Sequence, residues 1–114
     1  MAYSETIWAK AMHTAIVTIP LPPDLTREQY AAYTSEIAAR FQGVPGLVRK
    51  NFLFSREAGL GGGVYTWTDK AEGERFYAGV WRENIVNRFG VEPKIEWFYS
   101  PVIVDNEAGK IVTG

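Results

Sequence analysis

Two stretches with helical periodicity each stand between extended segments, and that order leaves few ways to fold. The first, "LTREQYAAYTSEIAARFQGVPG", has Thr26 as its N-cap and Gln29 three residues on, the spacing of a capping box. Tyr30, Tyr33, Ile37 and Phe41 recur along one face, and Gly43 followed by Pro45 is a stop signal. The second, "KAEGERFYAGVWRENIVNRF", is capped by Asp69 and repeats Phe76/Tyr77, Val80/Trp81, Asn84/Ile85 and Phe89 before Gly90 ends it. Gly73 and Gly79 each lower helix propensity by roughly 1 kcal/mol, so a kink or break is expected near Gly79.

The extended segments are Thr14 to Ile19, Leu47 to Ser55, "GVYTWT" and "PKIEWFYSPVIVD". The first is apolar almost throughout, which predicts burial on both faces. Alternation puts Val48, Lys50, Phe52 and Phe54 on one face of the second and Leu47, Arg49, Asn51 and Leu53 on the other. In the third, Gly63, Tyr65 and Trp67 share a face. In the fourth, Ile95, Trp97 and Tyr99 alternate with Glu96, Phe98 and Ser100, and Pro101 assigns the strand to a sheet edge. "VIVDNEAGKIV" predicts a small hairpin turning at about Asp105 to Gly109.

The order β-α-β-β-α-β with right-handed crossovers is the split βαβ, or ferredoxin-like, arrangement, an α+β fold. Its antiparallel sheet has strands one and three in the centre and both helices on one face. The chain reads as a single domain over 1–114, with short extensions at 1–13 and 106–114. Apolar residues on the second sheet face call for a partner. The expectation is a homodimer with the sheets packed face to face, a dimeric α/β barrel.

At 114 residues and 46% hydrophobic, the chain can build a core without staples. It has no cysteine, which excludes disulfides, thiolate metal sites and a cysteine nucleophile. Net charge is −1 with Lys and Arg scattered, so neither nucleic acid nor an anionic membrane is an expected partner. No apolar run approaches the roughly 20 residues of a membrane helix. The start "MAYSETIWAKAMH" lacks the pattern of a signal peptide, and a cytoplasmic protein is expected.

The run "GLGGG" invites comparison with a phosphate loop. A P-loop, however, continues into Lys-Ser/Thr and a helix, and a dinucleotide fingerprint also ends on a helix. Here a strand pattern follows, so the glycines read as a hairpin turn. The single histidine, His13, precedes the first strand. It has no companion ligands for a metal and is not placed on a helix as an axial haem ligand would be. No metal or cofactor is expected.

Aromatics make up 14% of the chain and concentrate between Phe52 and Tyr99. Their first use is a well-filled core, and their second the wall of a pocket for a flat ligand. Parity and helical spacing select Trp67, Tyr77, Trp81, Phe52 and Trp97 as candidate substrate-binding residues. Tyr65, Arg82, His13 and Lys50 are the candidate catalytic groups.

The run "FQGVPGLVRKNFLFSREAGLGGGVYTWTD", then "AEGERFY", then "FGVEPKIEWFYSPVIVDN" resembles the YdhR-like family of monooxygenase-type proteins. These belong to the dimeric α/β-barrel superfamily, related to the antibiotic-biosynthesis monooxygenases. The shared pattern is Pro45-Gly46-Leu47, Lys50, Gly62-Gly63, Tyr65 and Thr68-Asp69, within a match from about Ala15 to Asp105. Of the candidates above, only Lys50 and Tyr65 are carried by that pattern. The resemblance implies a homodimer with a pocket in each subunit, between sheet and helices. It also implies oxidation of a small aromatic, phenolic or quinol-type compound by O2, without metal or flavin. Quinone-forming relatives have an Asn–Trp pair four residues apart on strand three; here Gly63 stands in place of the Asn. Two other functions fit the same pocket: a non-enzymatic dimeric module that binds small molecules, as in a stress response, and an isomerase- or cyclase-like enzyme.

Overall fold

A computed structural model describes residues 13–113. Residues 1–12 of the expected N-terminal extension lie outside the described residues.

The strands are β1 (His13–Pro20), β2 (Leu47–Ser55), β3 (Leu60–Trp67) and β4 (Lys94–Tyr99). They form one antiparallel sheet in the order β2-β3-β1-β4, with β3 and β1 central. Helix α1 (Arg27–Ile37) continues into a 3-10 turn over Ala38–Phe41. The expected capping box is present: the Thr26 hydroxyl accepts from the Gln29 N–H at 3.0 Å, and the Gln29 side chain accepts from the Thr26 N–H at 2.9 Å. Asp69 caps α2 (Lys70–Tyr77) by accepting from the Ala71 N–H. The second helical stretch is broken in two, with α3 (Val80–Phe89) starting after Gly79, as the paired glycines predict. Gly90 closes α3 in the left-handed conformation at φ 70°. This is a ferredoxin-like α+β fold, with the helices on one face of the sheet.

Three local features depart from the sequence reading. The register slips between Leu47 and Arg49, so Leu47 stands opposite Trp67 and packs on the core instead of sharing a face with Arg49 and Asn51. A bulge of this kind swaps every residue before it to the other face, and alternation alone does not reveal it. The glycine run is also not the hairpin turn. The turn is Arg56–Gly59, and Gly61, Gly62 and Gly63 lie inside β3. Third, the long fourth strand ends at Tyr99, because Pro101 interrupts it. Val102–Asp105 (β5) and Lys110–Thr113 (β6) then form a separate two-stranded hairpin, the one expected from the sequence.

Tertiary packing explains the glycines. Tyr30 of α1 lies against Gly61, where a Cβ would stand 2.9 Å from its ring. Its hydroxyl accepts from the Gly62 N–H at 3.1 Å and donates to the Gly62 carbonyl at 3.3 Å. Gly62 has φ +143°, and a Cβ there would fall 1.9 Å from the Val17 carbonyl oxygen. The glycines are the groove into which α1 docks.

The core lies between sheet and helices and is built from Ala15, Val17, Tyr65, Trp67, Tyr77 and Trp81. The opposite sheet face is mixed. Ile16, Leu53 and Val64 are half-buried, Phe98 is half-exposed, and they alternate with Thr14, Thr18, Thr66, Arg49, Asn51 and Glu96. No helix among the described residues is long and apolar enough to cross a membrane.

Candidate functional site

Next to the aromatic core the packing stops short and leaves a cavity of about 360 Å3. Its floor is the sheet: Val17 and Ile19 of β1, Lys50 and Phe52 of β2, Gly62 and Tyr65 of β3. Its roof is Tyr30, Tyr33, Thr34 and Ile37 of α1, with Phe76, Trp81 and Ile85 from the broken helix. Val80 both lines the cavity and is 67% exposed, and Arg40 and Asn84 are exposed lining residues, so the cavity opens between these three. The break at Gly79 sets this mouth: α3 begins a new direction at Val80 instead of continuing α2 over the gap.

The wall is apolar and aromatic apart from a few polar groups, as small-molecule sites generally are. Lys50 is the most unusual of them. Its Nζ lies 3.3 Å from the centroid of Phe41, 3.7 Å from Phe52 and 4.7 Å from Tyr65. Among the described residues the charged lining groups are Lys50 and Arg40, both basic, and no carboxylate lines the cavity. Burial, unopposed by any carboxylate, pushes the Lys50 ammonium down to about 6. At neutral pH the side chain is therefore mostly the free amine.

Tyr65 is 1% exposed and stacks on Trp67 at 6.1 Å with the rings nearly parallel. Burial pushes its hydroxyl far above the ordinary tyrosine value; the neighbouring Tyr77 adds to this, and the Trp81 indole opposes it. Burial likewise raises Tyr77, against the hydrogen bond from Trp67, whose Nε1 donates to the Tyr77 hydroxyl at 3.2 Å. Tyr30 is raised too, by burial first. The buried phenols remain protonated, and Tyr77 accepts from the Trp67 indole, while the amine is the available base.

Of the residues singled out from sequence, Lys50, Tyr65, Phe52 and Trp81 come together in the cavity wall. Trp67, Tyr77 and Trp97 stand behind that wall: Trp67 is fully buried, and Tyr77 touches Trp67, Trp81 and Trp97 edgewise or tilted. Arg82 points to the surface, where its guanidinium pairs with both carboxylate oxygens of Glu92. His13 sits at the far end of β1 beside Tyr99, at 6.0 Å between rings.

Sequence reasoning did not select Tyr30, Tyr33, Thr34, Arg40 or Asn84 as site residues. The first two are on the apolar stripe of α1, and their hydroxyls were the available signal. The Tyr30 hydroxyl is spent on Gly62, where α1 docks on β3, so the polar tip of Tyr33 is the clearer of the two signals. Asn84, a polar residue on the apolar face of α3, is a similar signal. Arg40, in a 3-10 turn, gives none.

Fold and site together define a ferredoxin-like α+β subunit with an apolar, amine-bearing cavity between sheet and helices. Solved structures share this fold. A protein of unknown function from Nitrosomonas europaea aligns at TM-score 0.60 and 14% identity, covering 77% of this chain and 87% of that chain. The ActVA-Orf6 monooxygenase of Streptomyces coelicolor, solved in complex with nanaomycin D, aligns at TM-score 0.60 and 16% identity, covering 79% of this chain and 88% of that one. A conserved protein from Methanosarcina mazei aligns at TM-score 0.59 and 9% identity, covering 82% and 97%. No family model matches the chain, and neither does any curated protein. At these identities the likeness establishes the ferredoxin-like α+β fold alone.

Proposed function

We propose that the protein is a cofactor-independent, YdhR-like monooxygenase acting on a small aromatic, phenolic or quinol-type compound in this cavity. The observation that carries this reading is a lysine amine set among ring faces in an aromatic-walled cavity, with no carboxylate partner among the described residues. A phenol or enol entering past Val80 stacks against the aromatic wall and loses its proton to Lys50 Nζ. The resulting ammonium lies over the faces of Phe41 and Phe52, which favour a cation, and it faces the phenolate or enolate it has created. The electron-rich anion then reduces O2 itself. For a substrate with an oxidisable CH2, one oxygen atom becomes the new carbonyl, and the other leaves as water with the two hydrogens of that carbon. Tyr65, kept protonated, donates to the substrate oxygen as charge develops.

In the same reading two copies pack their sheets face to face as a dimeric barrel, covering Ile16, Leu53, Val64 and Phe98. The fold shared with the Streptomyces coelicolor monooxygenase supports the reaction class. The test is oxygen uptake with a panel of anthrones and dihydroxynaphthalenes. Uptake matched by quinone formation is expected. Binding of several of these compounds with no uptake by any would overturn the reading in favour of a binding module.

A further inference from the structure

Proton transfer uses only part of what Lys50 can do. An amine in an apolar wall is a poor choice for packing, because Met or Leu fills similar volume without a desolvation cost. Among the described residues no carboxylate pairs with it, and its neighbours are ring faces. Space is kept for it as well: a Cβ on Gly63 would stand 3.0 Å from Lys50 Cε. The amine therefore reaches an accessible cavity unpaired, in the setting where a lysine acts as a nucleophile toward carbonyl carbon.

We propose that Lys50 captures flat, apolar aromatic carbonyl compounds as a reversible imine, an inference that rests on the cavity being the ligand site. The Nζ lone pair adds to the carbonyl carbon while the C=O π pair moves to oxygen. The carbinolamine then loses that oxygen as water, taking both amine hydrogens, and a C=N bond remains. No oxidant or reductant is needed, and water reverses the step. Tyr65, in the same wall, donates a hydrogen bond to the departing oxygen. Among the described residues, the titratable groups that line the cavity with Lys50 are Arg40, Tyr30, Tyr33 and Tyr65, none of them a carboxylic acid that would hold it as ammonium at neutral pH. Its place in the cavity wall also distinguishes Lys50 from Lys70, Lys94 and Lys110, which are exposed.

The test is reductive trapping of the whole protein at pH 7 with 2-naphthaldehyde and cyanoborohydride, read by peptide mass mapping. The expected result is a secondary amine on Lys50, heavier by the aldehyde less one oxygen. It should form at least about tenfold faster than on any exposed lysine, since an ordinary lysine is only about 0.1% or less free amine at this pH. Excess 2-methylnaphthalene, which has no carbonyl, should suppress the Lys50 adduct alone. Lys50 left unmodified, or modified no faster than the exposed lysines, overturns the proposal. Tryptophan fluorescence quenching by 2-naphthol keeps the two readings apart. Quenching without any Lys50 adduct leaves the cavity as a ligand site and defeats only the imine. Trapping without oxygen uptake defeats only the oxygenase.

Discussion

At the residue scale the molecule turns on Lys50. Its proton affinity is about 6 in the folded chain, against about 10.4 in an unfolded one. Between those values the unfolded chain binds a proton that the folded chain does not, so stability rises with pH across the window and levels off below about pH 6. Thermal unfolding from pH 6 to 9 should show this slope, and Lys50→Met should flatten it. The same substitution should stabilise the fold by roughly 1–3 kcal/mol at neutral pH, because it removes a desolvated amine that no carboxylate offsets. A lower melting temperature for the variant would mean that Lys50 is held by contacts stronger than ring faces. Lys50 and Tyr65 were legible in the sequence as a polar group and an aromatic on strand faces. That Arg82 leaves the cavity for Glu92 was not, because α3 turns it outward and helical spacing does not name the surface partner.

At the scale of elements, the docking of α1 onto β3 is the most exposed to test. Tyr30→Phe removes the hydroxyl that satisfies both polar groups of Gly62. It should cost about 1–3 kcal/mol in chemical denaturation, the usual loss for orphaned, partly buried polar groups. Gly62→Ala should cost more than Gly63→Ala. The first drives a methyl into backbone at Val17, and the second meets the flexible end of Lys50 along with the Asn51 carbonyl. Equal costs would mean that the strand shifts freely there. The caps at Thr26 and Asp69 and the break at Gly79 could be read directly, since each depends on residues within four positions. The bulge at Val48 and the glycines' place inside β3 could not. Glycine is a weak strand former, and only a ring arriving from α1, far away in sequence, makes it the right residue.

At the scale of the whole molecule, the strand order and the single helix-covered face followed from the order of elements. The other sheet face is less apolar than the sequence pattern implies, with threonines and charged edge residues between Ile16, Leu53, Val64 and Phe98. The C-terminal hairpin leaves Val102, Val104 and Ile111 exposed at 51%, 64% and 70%, more apolar surface than a lone subunit gains from showing. If two subunits meet through this sheet face, native mass spectrometry should find twice the 12.8 kDa chain. Val64→Lys should shift the population to the single chain without unfolding it, since Val64 points away from the core. A wild-type protein that stays a single chain at micromolar concentration would remove the barrel from the account.

The most direct test of the account is oxygen consumption by the wild-type protein and Lys50→Met on anthrones and dihydroxynaphthalenes. The account predicts uptake matched by quinone product, and a loss of about 100-fold or more when the amine is removed, the usual contribution of a positioned base. Uptake that survives Lys50→Met undiminished, or no uptake by folded wild-type protein on any member of the panel, would contradict it.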